Sequence, residues 1–248
     1  MDGRRNIKLV LAYDGTNYHG WQRQSGEITI QELIEEKIKI ITGESIRLSA
    51  SGRTDSGVHA LHQVCNFITK SGIDTLSLRR ALNSLLPDDV HIKHAENVPL
   101  EFHSRYSSKS KVYEYRILNS KEPDIFIRNY CWHVTRELSI RDMKECLEQL
   151  VGKRDFSCFR SSGSSNLNPV REMIRAGLIS GDRGALLIIF EADGFLRHMV
   201  RNIVGTIVEA GLGRISPHEF SEILSSKDRR RAGIKAPPHG LFLRMVKY

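Results

Sequence analysis

The sequence predicts an α+β fold of two ferredoxin-like, RRM-like halves, each a largely antiparallel sheet with helices on one face. Three observations carry this. Residues 7–95 read strand, helix, strand, strand, helix, strand, the order of a split βαβ unit. An alternating strand starting at Lys111 opens a second series of strands and helices. The chain has 248 residues, more than one average domain. The boundary falls after Phe102, so residues 1–102 are expected as an N-terminal domain and 103–248 as a C-terminal one. The halves read as variants of one plan, without internal sequence similarity to show a duplication.

Residues 7–13 form a strand-like run, and Asp14-Gly15-Thr16-Asn17 is turn chemistry. Ile30, Leu33, Ile34, Ile38 and Ile41 then recur at helical spacing, and Gly43 stops the helix. Short strands are predicted over 46–51 and 64–68, separated by a polar turn over 52–62. A helix over 75–86 and a strand over 90–95 complete the half. In the second half, residues 111–117 alternate, with Tyr113, Tyr115 and Ile117 opposite Val112, Glu114 and Arg116, so that one face presents two tyrosines. A helix over 139–150 is capped by Ser139 and ended by Gly152. Strands over 172–179 and 185–192 flank the turn 180–184. A helix over 195–212 places Met199, Ile203, Ile207 and Ala210 at core spacing, a shorter one covers 217–224, and a strand over 241–246 follows. The run 161–165 reads as a flexible loop. Arg229-Arg230-Arg231 reads as a solvated charge run or a phosphate contact.

With 40% hydrophobic and 27% charged residues the composition is that of an ordinary globular protein. The charge is less ordinary. Thirty-seven Lys and Arg against 29 Asp and Glu leave +8, which attracts polyanions by releasing their counterions and puts nucleic acid first among partners. Charge alone fits simple solubility as well. Cys65, Cys131, Cys146 and Cys158 lack Cys-x-x-Cys spacing, which argues against structural zinc and fits buried thiols in a reduced cytoplasm. No apolar run has signal or membrane-spanning length, so a cytoplasmic setting without membrane partners is expected. Gly-rich phosphate loops, zinc-protease motifs and nucleophile elbows are absent, which removes the common cofactor and hydrolase readings.

What remains is the polar stretch carrying Arg53, Thr54, Asp55, His59 and His62. A turn on a rigid sheet can aim several polar groups at one point. Asp55 reads here either as a catalytic carboxylate or as an Asx-turn or capping residue. The two histidines lack a carboxylate in register, so no metal site is expected.

Leu11-Ala12-Tyr13-Asp14-Gly15-Thr16-Asn17-Tyr18-His19-Gly20-Trp21-Gln22-Arg23-Gln24 resembles the opening block of the TruA family of tRNA pseudouridine synthases, and Gly52-Arg53-Thr54-Asp55-Ser56-Gly57-Val58-His59-Ala60 resembles its catalytic block. Further blocks match in order: Phe102-His103 onward to Tyr115, Gly152-Lys153-Arg154-Asp155-Phe156-Ser157, Phe195-Leu196-Arg197-His198-Met199-Val200-Arg201-Asn202 and Pro238-His239-Gly240-Leu241-Phe242-Leu243. Departures are small: Ser56 stands where the family often has Ala, and Cys158 where Ser or Ala is common.

The resemblance implies Asp55 as catalytic carboxylate, Tyr113 stacked on the target base and Arg201 as the ion-pairing partner of Asp55, across an active-site cleft between the halves. By pattern alone Arg201 is a helix surface charge, although Met199, Val200 and Ile203 place it beside the apolar stripe, and Tyr113 is a core aromatic. Arg53 resembles the arginine that moves the nucleotide into the pocket. Arg23, Arg105, Lys109, Lys111, Arg160 and Arg197 are the candidates for gripping the RNA backbone. The implied substrate is uridine 38, 39 or 40 of the tRNA anticodon stem-loop, with no cofactor or small-molecule partner and a homodimer as the working form. The competing readings are a non-catalytic RNA-binding protein and a nucleoside hydrolase or glycosyltransferase using Asp55.

Overall fold

A computed structural model describes residues 3–163 and 168–248. Of the stretch 161–165 read as a flexible loop, Ser164 and Ser165 lie outside the described residues. The elements run β1 (Arg5–Tyr13), α1 (Ile30–Thr42), β2 (Ser49–Ala50), β3 (His59–Thr69), α2 (Thr75–Leu85), β4 (Val90–Val98), β5 (Ser110–Asn119), β6 (Trp132–Val134), α3 (Ile140–Glu148), β7 (Gly152–Asp155), β8 (Val170–Ser180), β9 (Ala185–Ala192), α4 (Met199–Gly211), α5 (Pro217–Ser226) and β10 (Leu241–Lys247). This is a mixed α+β protein whose strands pair mostly antiparallel, with five α-helices among the described residues. None of those helices is long and apolar enough to cross a membrane. Two compact units divide the chain, Met1–Lys109 with Leu243–Tyr248, and Ser110–Phe242.

In the first unit the strand order is β4-β1-β3-β10, with β2 on β3. Ile7, Leu9 and Leu11 of β1 are fully buried, as are Ile34 and Ile38 of α1 and Leu78 and Leu82 of α2. Gly43 ends α1 in the left-handed region at φ 75°, its N–H donating to the Lys39 carbonyl at 2.9 Å. Asp74 starts α2 by accepting from the amides of Leu76 and Ser77. The strand expected over 46–51 shrinks to Ser49–Ala50, because the Leu48 amide is taken by the buried Glu35 carboxylate at 2.9 Å instead of a neighbouring strand. The polar turn is also shorter than expected. Tyr13 pairs with Ala60, so β3 already begins at His59, and His59 and His62 are strand residues.

In the second unit the order is β5-β9-β8-β7, with the short β6 parallel to β5. Tyr113 lies opposite Phe190 and Tyr115 opposite Ile188. Both tyrosines are buried, as are Val112 and Glu114 on the other side of the strand, so the two-tyrosine face is not an open one. Ser139 caps α3, but the helix ends at Glu148 with Gln149 as its C-cap. Gly152, at φ 100°, instead opens β7 opposite Met173, a strand that the short polar sequence does not announce. The helix expected from Phe195 starts at Met199, because His198 adopts the left-handed region at φ 60° and interrupts it. A capping box between Ser216 and Glu219 sets α5. All four cysteines are buried free thiols, with Cys146 and Cys158 pushed up to about 12 by burial.

Candidate active site

Asp55 sits in the tight turn between β2 and β3, and the segment that follows β1 holds one side of that turn. The Trp21 N–H donates to the Thr54 carbonyl at 3.1 Å, the Gly57 N–H to the Tyr18 carbonyl at 3.3 Å, and the Val58 N–H to the Asp55 carbonyl at 3.1 Å. Two glycines make that approach possible. A Cβ on Gly20, at φ 84°, would lie 2.6 Å from the Thr54 carbonyl oxygen, and one on Gly15 would lie 2.1 Å from that of Val58. The two opening motif blocks are thus one object in space: a glycine-lined segment against which the aspartate turn is pressed.

His59 is fully enclosed beneath the turn. The Gly15 N–H points at its Nδ1 at 3.0 Å, and Asp14 Oδ1 lies 3.0 Å from the same nitrogen. One nitrogen cannot accept from Gly15 and donate to Asp14 together. We favour acceptance, since Asp14 Oδ1 already receives the Thr16 N–H at 2.9 Å and its hydroxyl at 2.6 Å. His59 is therefore a bracket for the turn. Among the described residues no three His, Cys, Asp or Glu side chains converge as metal ligands do.

The basic candidates of the first unit differ in setting. Arg53 is exposed beside Asp55 in the same turn. Arg23 is engaged with Glu32 at 3.0 Å and Glu35 at 3.7 Å, so it also ties its loop to α1. Arg105 lies against the exposed Tyr106 ring, which in turn packs on His103 at 4.5 Å, an aromatic and basic cluster that sequence reasoning did not single out. Lys109 is exposed, its backbone N–H bonded to the Lys247 carbonyl at 2.8 Å.

In the second unit Tyr113 meets Phe195 edge to face at 5.0 Å, which uses the Phe195 ring outside the helix expected to contain it. Arg201 is 7% exposed on α4 and is no surface charge. Its Nε donates to the Ala236 carbonyl at 2.8 Å, while the Ala236 N–H donates back to the Arg201 carbonyl at 3.1 Å. This double tie requires close approach of the 233–236 segment to α4. Gly205 permits it, since a Cβ there would come within 1.7 Å of the Ile234 carbonyl oxygen. Asn202 joins the same scaffold by donating to the Phe159 carbonyl at 2.8 Å and accepting from Arg229 at 3.0 Å.

The charge of Arg201 also reaches Tyr115 and His239. Burial drives the Tyr115 phenol strongly upward, and Arg201 opposes this. Burial and then Arg201 hold His239 below its ordinary range, against a hydrogen bond to the Cys131 backbone. Arg197 is exposed and donates to the Ser162 carbonyl at 2.9 Å, Arg160 is half-buried at the start of that loop, and half-buried Lys111 lies opposite Ala192. The triple arginine run is mostly occupied: Arg229 ties to Asn202, Arg230 to Asp228 at 2.8 Å and Arg231 to Glu222 at 3.3 Å.

A family model described as tRNA pseudouridine synthase matches residues 9–107 and 146–248, which include the Asp55 turn and the whole of α4. The chain belongs to the tRNA pseudouridine synthase family. It is accordingly an isomerase. The tRNA pseudouridine synthase A of Thermoanaerobacter sp. (strain X514) is 48% identical over 244 residues, covering 98% of this chain and 100% of that protein. Those of Acetivibrio thermocellus and Clostridium botulinum (strain Alaska E43 / Type E3) are 47% and 46% identical, again over 98% of this chain and the full length of each.

Proposed function

We propose that the chain converts uridine to pseudouridine at positions 38, 39 and 40 of the tRNA anticodon stem-loop, with Asp55 as its catalytic carboxylate. The observation that supports this most directly is the Asp55 turn, a single carboxylate aimed by an enclosed backbone scaffold within a family-matched segment. The reaction breaks the glycosidic C–N bond, turns the uracil in place and closes a C–C bond, with no net redox change. Asp55 serves as nucleophile or as base. Tyr113 offers its ring to the target base, and Arg201 is the ion-pairing partner of Asp55.

A uridine stacked in a stem must leave the helix, at a cost of a few kcal/mol, roughly, before it reaches the carboxylate. Arg53, exposed beside Asp55, assists that movement. Arg23, Arg105, Lys109, Lys111, Arg160 and Arg197 grip phosphates and sugars, consistent with the net charge of +8. We read the two units as variants of a ferredoxin-like plan, the first carrying Asp55 and the second Tyr113 and Arg201, and the working protein as a cytoplasmic homodimer.

The test incubates unmodified tRNA with the protein and maps pseudouridine by chemical labelling and primer extension. Wild type is expected to modify positions 38–40, and Asp55→Ala to lose about 10²- to 10⁴-fold in rate, as expected on removing a positioned acid–base or nucleophilic group. Full activity in Asp55→Ala would remove the assignment. Release of free uracil would point to a hydrolase, and tRNA binding unaccompanied by any modification to a pure RNA-binding protein.

A further inference from the structure

We propose that Tyr13, Thr54 and Gln63 form a buried clamp that positions the Asp55 carboxylate; the inference rests on the reading of Asp55 as the catalytic group. The Tyr13 hydroxyl lies 2.8 Å from Thr54 Oγ1. Gln63 Nε2 donates to the Gly52 carbonyl at 2.9 Å and stands 3.5 Å from the Tyr13 hydroxyl. Gln63 Oε1 accepts from the Ser51 hydroxyl at 2.7 Å and from the Val64 N–H at 3.1 Å. All four side chains are buried, Gln63 completely.

Hydrogen-bond chemistry orders this chain. Gln63 Nε2 has two hydrogens, one for Gly52 and one facing the Tyr13 oxygen, so the Tyr13 O–H turns toward Thr54 Oγ1. Burial raises the Tyr13 phenol far above its ordinary range, which keeps that proton in place. The clamp therefore carries no charge of its own to compete for the carboxylate. Its consequence is geometric. Gly52 is held through its carbonyl from β3, and Thr54 through its side chain from β1 and through its carbonyl by the Trp21 amide at 3.1 Å. Thr54, the residue preceding Asp55, is fixed at both its side chain and its carbonyl, which sets the peptide plane from which the Asp55 side chain departs. A buried polar chain whose members are all satisfied fixes a single geometry, and Leu11 and Val64 beside it are fully buried. What it supplies here is aim.

The test compares Tyr13→Phe, Thr54→Val and Thr54→Ser with wild type in the full chain. It measures single-turnover pseudouridine formation, tRNA affinity, and amide hydrogen exchange at Trp21 and Val58. A misaimed group loses on the order of 10²-fold for about 1 Å of displacement. Tyr13→Phe and Thr54→Val are expected to slow single turnover by about 10- to 100-fold with tRNA Kd within about twofold, and Thr54→Ser to stay within about threefold of wild type. Exchange at Trp21 and Val58 is expected to quicken in Thr54→Val. Wild-type single-turnover rates in the Phe and Val variants would overturn the clamp, as would parallel losses in affinity and rate, or a Ser variant as slow as Val. If wild type itself makes no pseudouridine, the functional reading fails, and exchange alone decides: unchanged protection in Thr54→Val then overturns the clamp as well.

Discussion

The Asp55 turn is fastened by backbone bonds together with buried polar side chains, whereas Arg201 stands on a helix buried on nearly every side. The Asp55 turn is closed by amide-to-carbonyl bonds from Trp21, Gly57 and Val58 and leaves the Asp55 side chain half-exposed. The Arg201 region buries the guanidinium itself, on a helix where Met199 through Val208 are all buried. Both places depend on a glycine, for different reasons. Gly20 is needed for its left-handed φ as well as its missing Cβ, whereas Gly205 is needed only because another backbone lies where the Cβ would stand. The backbone of the Asp55 turn is fixed by amide-to-carbonyl bonds, which set where its side chain starts. A buried guanidinium can be aimed by what packs around it, provided its donors are satisfied.

The contrast can be broken first at Gly205. Gly205→Ala forces α4 away from Ile234 and is expected to cost about 3 kcal/mol, read as a drop in the urea midpoint, with activity lost in step with folding. Gly20→Ala is expected to cost about 2 kcal/mol from the left-handed backbone and the close Thr54 contact together. Its turnover should fall further than its stability, because the displaced segment is the one that presses on Asp55. If both variants lost stability and turnover in equal proportion, the distinction between an aimed turn and a packed helix would disappear.

Arg201→Lys sharpens the comparison from the other side. A lysine keeps the charge but loses the planar fork and the Nε bond to Ala236. Single-turnover rate is expected to fall about tenfold, about 1.4 kcal/mol, with tRNA affinity nearly unchanged. Equal losses in binding and turnover would instead make Arg201 a contact to RNA.

The smallest effect is in pH. Burial, with Lys93 and Lys8 nearby, lowers His62 from 6.5, despite an opposing backbone hydrogen bond, and burial and Arg201 lower His239 likewise. A histidine held below its ordinary value takes up its proton more readily unfolded than folded. Stability is therefore full above pH 6.5 and declines as the pH falls from there toward the folded values. Urea midpoints should drop between pH 7.5 and 5.5, and His62→Gln should flatten part of that drop. An unchanged slope would show that His62 titrates alike in both states.

Much of the secondary structure was legible wherever a local rule operated alone. Gly43 ends α1 as expected, β9 matches its expected span, and Ser139 caps its helix through its side-chain oxygen. Errors arose where a distant residue claimed a backbone group. Glu35 took the Leu48 amide and shortened β2, Tyr13 extended β3 back to His59, and the left-handed His198 delayed α4. The site shows the same division. Asp55 stood out because its motif is contiguous, but Gln63 carried no signal, since its role exists only once β1 and β3 lie side by side.

By itself the sequence determined the residue types available for chemistry, the family, and most helices and strands, because motifs, caps and periodicity act over a few neighbouring residues. Only the tertiary structure decided that Arg201 is buried, that His59 braces a turn, and that the triple arginine run is largely occupied. Burial and hydrogen-bond partnership belong to pairs of segments far apart in the chain. For Arg201 the partner is Ala236, 35 residues away, and for Tyr13 it is Thr54, 41 away.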